Sequence, residues 1–196
     1  MNTLSITGSR KIVLGLGNLF YRDKGLGIHA MMMLRARLER RARVEWVDGG
    51  MRAIHLLSLL EGCSHLMVLT AINATEIPGT LMERSRDEIL HYPFKIWDIP
   101  NDFQDVLGLA AAHAHLPAHL HLLGIQPGDF TYGVHLSPAV IFALPVLLER
   151  ATGVLEEWGL LESLTLARKW ARIRTQGVDL AHGIRASDCH AVRDPS

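Results

Sequence analysis

The chain has 196 residues, in which 20 Lys and Arg side chains balance 20 Asp and Glu. This length suits one α/β domain with a full core and is short for two such domains. Because the charges balance, no global field favours nucleic acid, and we expect no nucleic-acid partner. Cys63 and Cys189 are far apart and lack a metal or disulfide motif, which indicates a reducing compartment. No signal peptide and no apolar stretch of membrane-spanning length is evident, so we expect a cytoplasmic protein without membrane contact.

Apolar strands and helices alternate in the first part of the chain. We predict strands over Ile12–Leu16, Val44–Val47 and His65–Leu69, separated by a helix over Ile28–Leu38 and a short helix over Ala53–Leu60. This alternation is typical of a parallel sheet that is covered on both faces. The sequence therefore predicts a three-layer α/β sandwich with a mainly parallel central sheet.

The middle of the chain departs from this alternation. Pro78-Gly79-Thr80 predicts a turn, and Leu81 and Met82 then begin a short strand. The segment Ser85–Asn101 is rich in charge, proline and aromatic residues and has no clear period. We therefore predict a functional or covering loop there.

Regular elements return after this segment. A helix is predicted over Phe103–Ala112, a strand over His119–Ile125 and a long helix over Ala139–Trp158, whose N-cap is Ser137. Beyond that helix the composition becomes polar and loses its periodicity. We accordingly divide the chain into an N-terminal extension (1–10), one domain (11–158) and a helical, flexible C-terminal tail (159–196).

A glycine-rich loop joins the first strand to the first helix, within residues 15–27. Gly15 and Gly17 allow close backbone approach, so the amides beyond them can face an anion, a metal-bound group or a peptide. A dinucleotide fingerprint would need glycine where the chain has Phe20, and a phosphate-binding P-loop would need Gly-Lys-Ser/Thr, which is absent. Nucleotide binding is disfavoured, while a purely structural turn remains open.

Six blocks of sequence occur in an ordered series that covers residues 11 to 157. They are Gly15-Leu16-Gly17-Asn18 with Asp23 and Gly27; Val47-Asp48-Gly49-Gly50; Ala71-Ile72 with Pro78-Gly79-Thr80; Asp105-Val106-Leu107; Leu123-Gly124-Ile125-Gln126-Pro127; and Gly133-Val134-His135-Leu136-Ser137-Pro138. Each block alone is weak evidence, but together and in register they are specific. In this series the chain resembles the [NiFe]-hydrogenase maturation endopeptidases, nickel-guided enzymes that trim the C-terminus of a hydrogenase large-subunit precursor.

The resemblance also shows what this chain lacks. It implies three metal ligands: an acid after the Asp of the first loop, an Asp at the end of the third strand and a His before the mid-chain helix. This chain has Lys24, Thr70 and Ile99 at those positions, although a gap of one residue would place Asp98 or Pro100 at the third. An ammonium group removes a ligand and repels a divalent cation, and Thr70 offers only a neutral hydroxyl. The expected cofactor is therefore none, with nickel retained only if the chain is an active endopeptidase.

A second candidate metal site comes from the histidines. His113, His115, His119 and His121 lie close together in sequence. His119 and His121 alternate on a predicted strand and share one face, which is a geometry that zinc or nickel uses. Solvent-facing strand residues are the simpler interpretation, and both stay open at this stage.

The leading hypothesis is a metal-ligand-deficient maturation factor that acts by binding the hydrogenase large-subunit precursor or another maturation protein. Its retained loops predict a cleft. The cleft residues are Asn18, Asp23, Asp48, Gly49, Gly50, Trp97 and Asp98. In the segment Ser85–Asn101, Tyr92, Phe94 and Trp97 are candidate contact anchors or, alternatively, core residues.

Two alternatives complete the sequence-based hypotheses. The first is an active nickel-dependent endopeptidase, in which Asp23, Asp48 or Asp98 contacts nickel that the precursor holds. The second is a peptidyl-tRNA hydrolase, because those enzymes also open with Gly-x-Gly-Asn. They continue with Pro and Gly, however, where this chain has Leu19 and Phe20.

Overall fold

The computed structural model describes residues 9–50, 56–91, 95–96, 103–113 and 115–162. These residues belong to one unit, Met1–Leu161, except for Glu162, which begins a second unit that runs to Ser196. The strands are β1 (Arg10–Leu16), β2 (Glu45–Gly50), β3 (Cys63–Asn73), β4 (Leu81–Ser85), β5 (Lys95–Ile96) and β6 (His119–Ile125). The helices are α1 (Leu26–Leu38), α2 (Leu56–Leu60), α3 (Arg86–His91), α4 (Phe103–Ala112) and α5 (Pro138–Glu157), with a short 3-10 helix over Arg22–Gly25.

Within the described residues the strands form one six-stranded sheet. The strand order is β2-β1-β3-β6-β4, and β5 pairs with β3 outside this path. β1 is parallel to β2 and β3, and β3 is parallel to β6. β4 runs antiparallel to β6, and β5 runs antiparallel to the end of β3. The predicted mainly parallel sheet is confirmed.

Both faces of this sheet are covered by helices. Successive side chains of a strand point to opposite faces, yet Ile12, Val13 and Leu14 of β1 are all buried. α2, α3 and α4 pack on the face that holds Ile12 and Leu14, and α1 and α5 pack on the face that holds Val13. The three-layer α/β sandwich predicted from the sequence is therefore the observed architecture.

Helix α5 is long and apolar enough, by length and composition, to meet the criterion for a membrane span. One side of it is buried in the hydrophobic core, through Val140, Leu144, Leu147, Leu148, Ala151, Val154 and Leu155. The other side is exposed and carries Ile141, Phe142 and Val146. A core helix that packs one face on a sheet meets the same criterion, so the composition of α5 gives little support to a membrane role.

The sequence-based prediction of a loop over Ser85–Asn101 needs correction, because α3 and β5 both lie inside that segment. The Glu88 carboxylate accepts hydrogen bonds from the Ser85 backbone N–H (2.8 Å) and hydroxyl (2.9 Å), so side chains organise the start of the helix. Ile89 is its buried anchor. A charged helix of six residues with one buried apolar side chain shows no hydrophobic period. The hydrophobic pattern of the sequence therefore does not predict α3.

An ion-pair network attaches the edge strand β4 to α5. The Glu83 carboxylate accepts hydrogen bonds from Arg150 Nε (2.7 Å) and Nη2 (2.6 Å) and lies 2.7 Å from His121 Nε2. The hydrogen bonds from Arg150, followed by that from His121, hold the pKa of Glu83 below its usual range. This network stabilises the one edge strand that runs antiparallel to β6.

Replacing Glu83 with Gln should lower the free energy of unfolding at pH 7 by about 1 kcal/mol, because a neutral amide loses the charge-assisted pairing in a partly exposed site. The depressed pKa means that ionised Glu83 stabilises the fold above the ordinary carboxyl pKa. That contribution is lost as the pH falls through the lower folded-state pKa. Urea unfolding at pH 7 and at acid pH should therefore show a difference that shrinks at acid pH.

Glu157→Gln is the matched control for this experiment. Glu157 accepts a hydrogen bond from the same arginine, from Arg150 Nη1 at 2.8 Å, but its side chain is 60% exposed. We expect a smaller loss for this variant. Equal losses in the two variants would show that β4 does not depend on Glu83.

Candidate functional site

The loops that follow β1 and β6 meet at the carboxyl edge of the sheet. Gly17 follows β1 with φ of +146°, and a Cβ at this position would collide with the carbonyl oxygen of Lys24. Asn18 N donates to that same carbonyl oxygen at 2.9 Å, and Phe20 N donates to Asn18 Oδ1 at 3.0 Å. The glycine-rich loop is therefore folded tightly on itself, and the short 3-10 helix intervenes before α1 begins.

Asp23 lies in the protein interior, with 0% exposure, and not on the cleft surface expected from the sequence. Its carboxylate accepts hydrogen bonds from Gly128 N and Asp129 N (both 2.9 Å) and from Ser137 N and Oγ (both 2.7 Å). Ser137 stands at the N-cap position of α5, but its hydroxyl is given to Asp23 and makes no cap bond. Asp23 thus joins the β1 loop to the β6 loop and is not available as a metal contact.

Lys24 lies next to Asp23 in the 3-10 helix, and its side chain is partly exposed. Its Nζ is 5.0 Å from the ring centroid of Tyr21 and 5.9 Å from that of Phe130. These distances place the ammonium group within cation–π range of two aromatic rings. At the first ligand position implied by the resemblance, the structure therefore has a positive charge beside aromatic surface.

Thr70 lies within β3 and not at its end, because β3 continues to Asn73. The residue is 1% exposed, is in register with Gly124 of β6, and its Oγ1 donates to the Ala71 carbonyl at 3.5 Å. A neutral, buried hydroxyl in this setting supplies no charge to a metal. Ile99, the third predicted ligand position, lies outside the described residues, as do Trp97, Asp98, Tyr92 and Phe94.

The second block of the predicted cleft is attached to the glycine-rich loop. Asp48, Gly49 and Gly50 form the end of β2, which extends three residues past the strand predicted over Val44–Val47. Gly17 N donates to Gly50 O at 3.0 Å, and Gly50 N donates to Asp48 Oδ1 at 2.9 Å. Asp48 belongs to the residues predicted to line the cleft, and its carboxylate is exposed to solvent at this edge of the sheet.

Gln126 was not singled out by sequence reasoning although it shapes the loop after β3. It is 6% exposed, and its Oε1 accepts hydrogen bonds from Ala74 N (2.9 Å) and Glu76 N (3.3 Å). Thr80 O accepts the Gln126 backbone N–H at 2.9 Å. The signal was present in the Leu123–Pro127 block, where a polar residue directly follows a buried strand.

The histidines do not assemble the second metal site considered above. His121 pairs with Glu83, while His119 stacks on His65 of β3, with ring centroids 4.2 Å apart. Burial, and then the neighbouring His119, lower the pKa of His65. Among the described residues, no group of three or more His, Cys, Asp or Glu side chains is placed to hold a metal ion. The hypothesis of a histidine metal site is not supported by this geometry.

Cys63, one of the two thiols, is buried at the start of β3. Burial raises the pKa of Cys63 to about 11. The thiol is therefore protonated at neutral pH, which agrees with the absence of a nucleophile motif around it in the sequence.

A family model for hydrogenase maturation proteases matches residues 28–154. The chain therefore belongs to the hydrogenase maturation protease family. This result confirms the family predicted from the six blocks and favours it over the peptidyl-tRNA hydrolase alternative. The assignment of Lys24, Thr70 and Ile99 to ligand positions stays a prediction.

Individual relatives agree with this membership. The chain is 32% identical over 179 residues to the hydrogenase expression/formation protein HupD of Bradyrhizobium diazoefficiens, a match that covers 90% of this chain and 91% of that protein. It is 29% identical over 152 residues to the hydrogenase 2 maturation protease of Escherichia coli, covering 76% and 93% of the two chains. Among solved structures it resembles the hydrogenase maturating endopeptidase HybD from E. coli with a TM-score of 0.68, at 28% identity over 76% of this chain and 94% of that one.

The Asp23→Asn substitution tests the structural role of the buried carboxylate. An amide NH2 would face donors that now point at Asp23 Oδ2, so the free energy of unfolding should fall by about 2 to 4 kcal/mol. Urea or thermal unfolding measures this loss. Asp48→Asn, which changes an exposed carboxylate at the same edge, should change stability by less than about 0.5 kcal/mol. A tolerated Asp23→Asn would mean that the two loops hold together without this anchor.

Proposed function

We propose that this chain is a [NiFe]-hydrogenase maturation factor that binds the large-subunit precursor, or another maturation protein, without cleaving it. The observation that carries the proposal is the division of roles between two adjacent residues. Asp23 is a buried carboxylate that joins two loops through hydrogen bonds, and Lys24 puts an ammonium group at the first predicted ligand position. The retained family fold and the lysine at the predicted ligand position together support a binding role over a catalytic one.

The described residues do not fit a resident nickel ion. Nickel in proteins is held by imidazole, thiolate or carboxylate groups, whereas the described ligand positions offer an ammonium and a buried neutral hydroxyl. At close range the ammonium of Lys24 repels a divalent cation.

A binding role is supported by what the site has kept. Backbone hydrogen bonds attach the end of β2 to the glycine-rich loop, and the Asp23 carboxylate attaches that loop to the β6 loop. Such rigid loop surfaces at the carboxyl edge of a parallel sheet are common sites of recognition. Loops held in this way can therefore bind a partner chain without a catalytic metal.

An active endopeptidase is the second candidate, because one relative is named as a hydrogenase 2 maturation protease. In that case nickel would be held by the precursor, and the exposed Asp48 is the described carboxylate at the edge that could contact it. The proposal for either function includes a cytoplasmic location. The free, buried thiol of Cys63 supports a reducing compartment.

A processing assay separates the two candidates. The purified full chain is incubated with the hydrogenase large-subunit precursor from the same organism, and the mass of the precursor is followed. We expect the precursor to keep its full mass while the two proteins co-elute on size exclusion. A family member whose ligand residues are complete serves as the positive control. A precursor shortened at its C-terminus by this chain alone would overturn the non-catalytic proposal.

Metal binding gives an independent test. Calorimetric titration of the wild-type protein with Ni²⁺ should show no stoichiometric binding at micromolar or lower Kd, because Lys24 and Thr70 supply no anionic ligand. The triple variant Lys24→Glu, Thr70→Asp, Ile99→His should gain measurable affinity, since it supplies two carboxylates and an imidazole, which are groups that bind nickel.

The control for the triple variant replaces the same positions with uncharged residues of similar size, Lys24→Gln, Thr70→Asn and Ile99→Leu. This variant should remain without affinity for Ni²⁺. Tight binding by the wild type would show that the ligand positions were misassigned. A folded triple variant with no affinity would show that the cleft has changed shape as well.

A further inference from the structure

A cluster of large apolar side chains is exposed at the carboxyl edge of the sheet. It consists of Phe20 (59% exposed) and Tyr21 (39%) on the loop after β1, and of Tyr132 (76%) and Val134 (52%) on the loop after β6. We call these four residues the aromatic platform. Their exposure adds nothing to the core, and contiguous exposed apolar groups are typical of interaction sites.

The platform is built on backbone that is already fixed. Gly133 N donates to Phe20 O at 2.9 Å, and Arg22 N donates to Gly133 O at 2.7 Å. The rings of Tyr21 and Tyr132 meet edge to face, with centroids 5.9 Å apart. A partly exposed salt bridge of 3.1 Å between Arg22 and Asp129 also joins the loop after β1 to the loop after β6. A partner that binds here would lose little free energy in ordering these loops.

The residue types also suit an interface. Tyrosine combines a large apolar ring with a polar hydroxyl, and aromatic residues are enriched among the side chains that dominate binding energy. Rigid aromatic side chains lose little conformational entropy when they are covered. Tyr132 and Phe20 are the most exposed members and are therefore the expected anchors.

The position of the platform indicates its occupant. Lys24 Nζ lies over the ring of Tyr21, so the platform continues directly into the first predicted ligand position of the cleft. A polypeptide that presents a segment to Lys24 would cover the platform in the same approach. We infer that the aromatic platform is the docking surface for the hydrogenase large-subunit precursor, an inference that rests on the proposed function.

The inference is tested with the full-length chain and the purified large-subunit precursor by measuring Kd, for example by biolayer interferometry. The double variant Phe20→Ala, Tyr132→Ala should weaken binding by about ten-fold or more, as expected for two aromatic anchors. Leu109→Ala is the matched control. Leu109 is an apolar residue with 46% exposure on α4, which packs on one face of the sheet and does not carry the platform. Its truncation should leave the Kd for the precursor within about two-fold of the wild-type value.

The outcomes separate this inference from the proposed function. In one outcome, wild type binds the precursor, and the double variant keeps its melting temperature and binds the precursor with a Kd within about two-fold of the wild-type Kd. The platform is then not the docking surface, but the binding function stands. If wild type does not bind the precursor at all, the proposed function fails and the inference fails with it. If size exclusion shows a dimer of this chain that the double variant abolishes, the occupant is a second copy and the inference is overturned.

Discussion

The hydrogen bonds accepted by the buried Asp23 carboxylate are the interaction on which the loops at the carboxyl edge of the sheet depend. A carboxylate removed from water is strongly destabilising unless donors replace its hydration, and here backbone amides of Gly128, Asp129 and Ser137 do so together with the Ser137 hydroxyl. These donors lie more than a hundred positions further along the chain. One side chain therefore fixes the relative positions of the β1 loop, the β6 loop and the start of α5.

The backbone at the neighbouring position 24 does not depend on the charge of its side chain. The backbone of Lys24 is fixed by its N–H, which donates to Tyr21 O, and by its carbonyl, which accepts from Asn18 N. Neither bond depends on the side chain, so an acid and a lysine can occupy the same turn. Asp23 and the backbone thus set the shape of the loop, and the charge of residue 24 can differ without altering these bonds.

The fold was predictable because continuous apolar strands such as Ile12-Val13-Leu14 require cover on both faces. Particular contacts were not predictable, because each depends on a distant partner. The sequence correctly places Ser137 at the start of α5, yet its hydroxyl makes no cap bond and donates to the Asp23 carboxylate, which lies 114 positions earlier in the chain. One of the two interpretations of the histidines puts His121 in a metal site with His119, but His121 pairs with Glu83, because β4 runs beside β6.

The aromatic platform follows from the same logic, one level further from the sequence. Phe20 and Tyr132 look like isolated apolar residues in polar loops until the bonds of Gly133 to Phe20 and Arg22 bring the loops together. The Asp23 carboxylate holds the two loops together, so that the exposed rings of Phe20 and Tyr132 offer a preformed apolar surface. Under the proposed function, recognition would depend on the loops that this carboxylate holds together and not on a metal ligand. The loops that carry these rings are joined by backbone bonds and by the Asp23 carboxylate, and none of these bonds involves the side chain of Lys24.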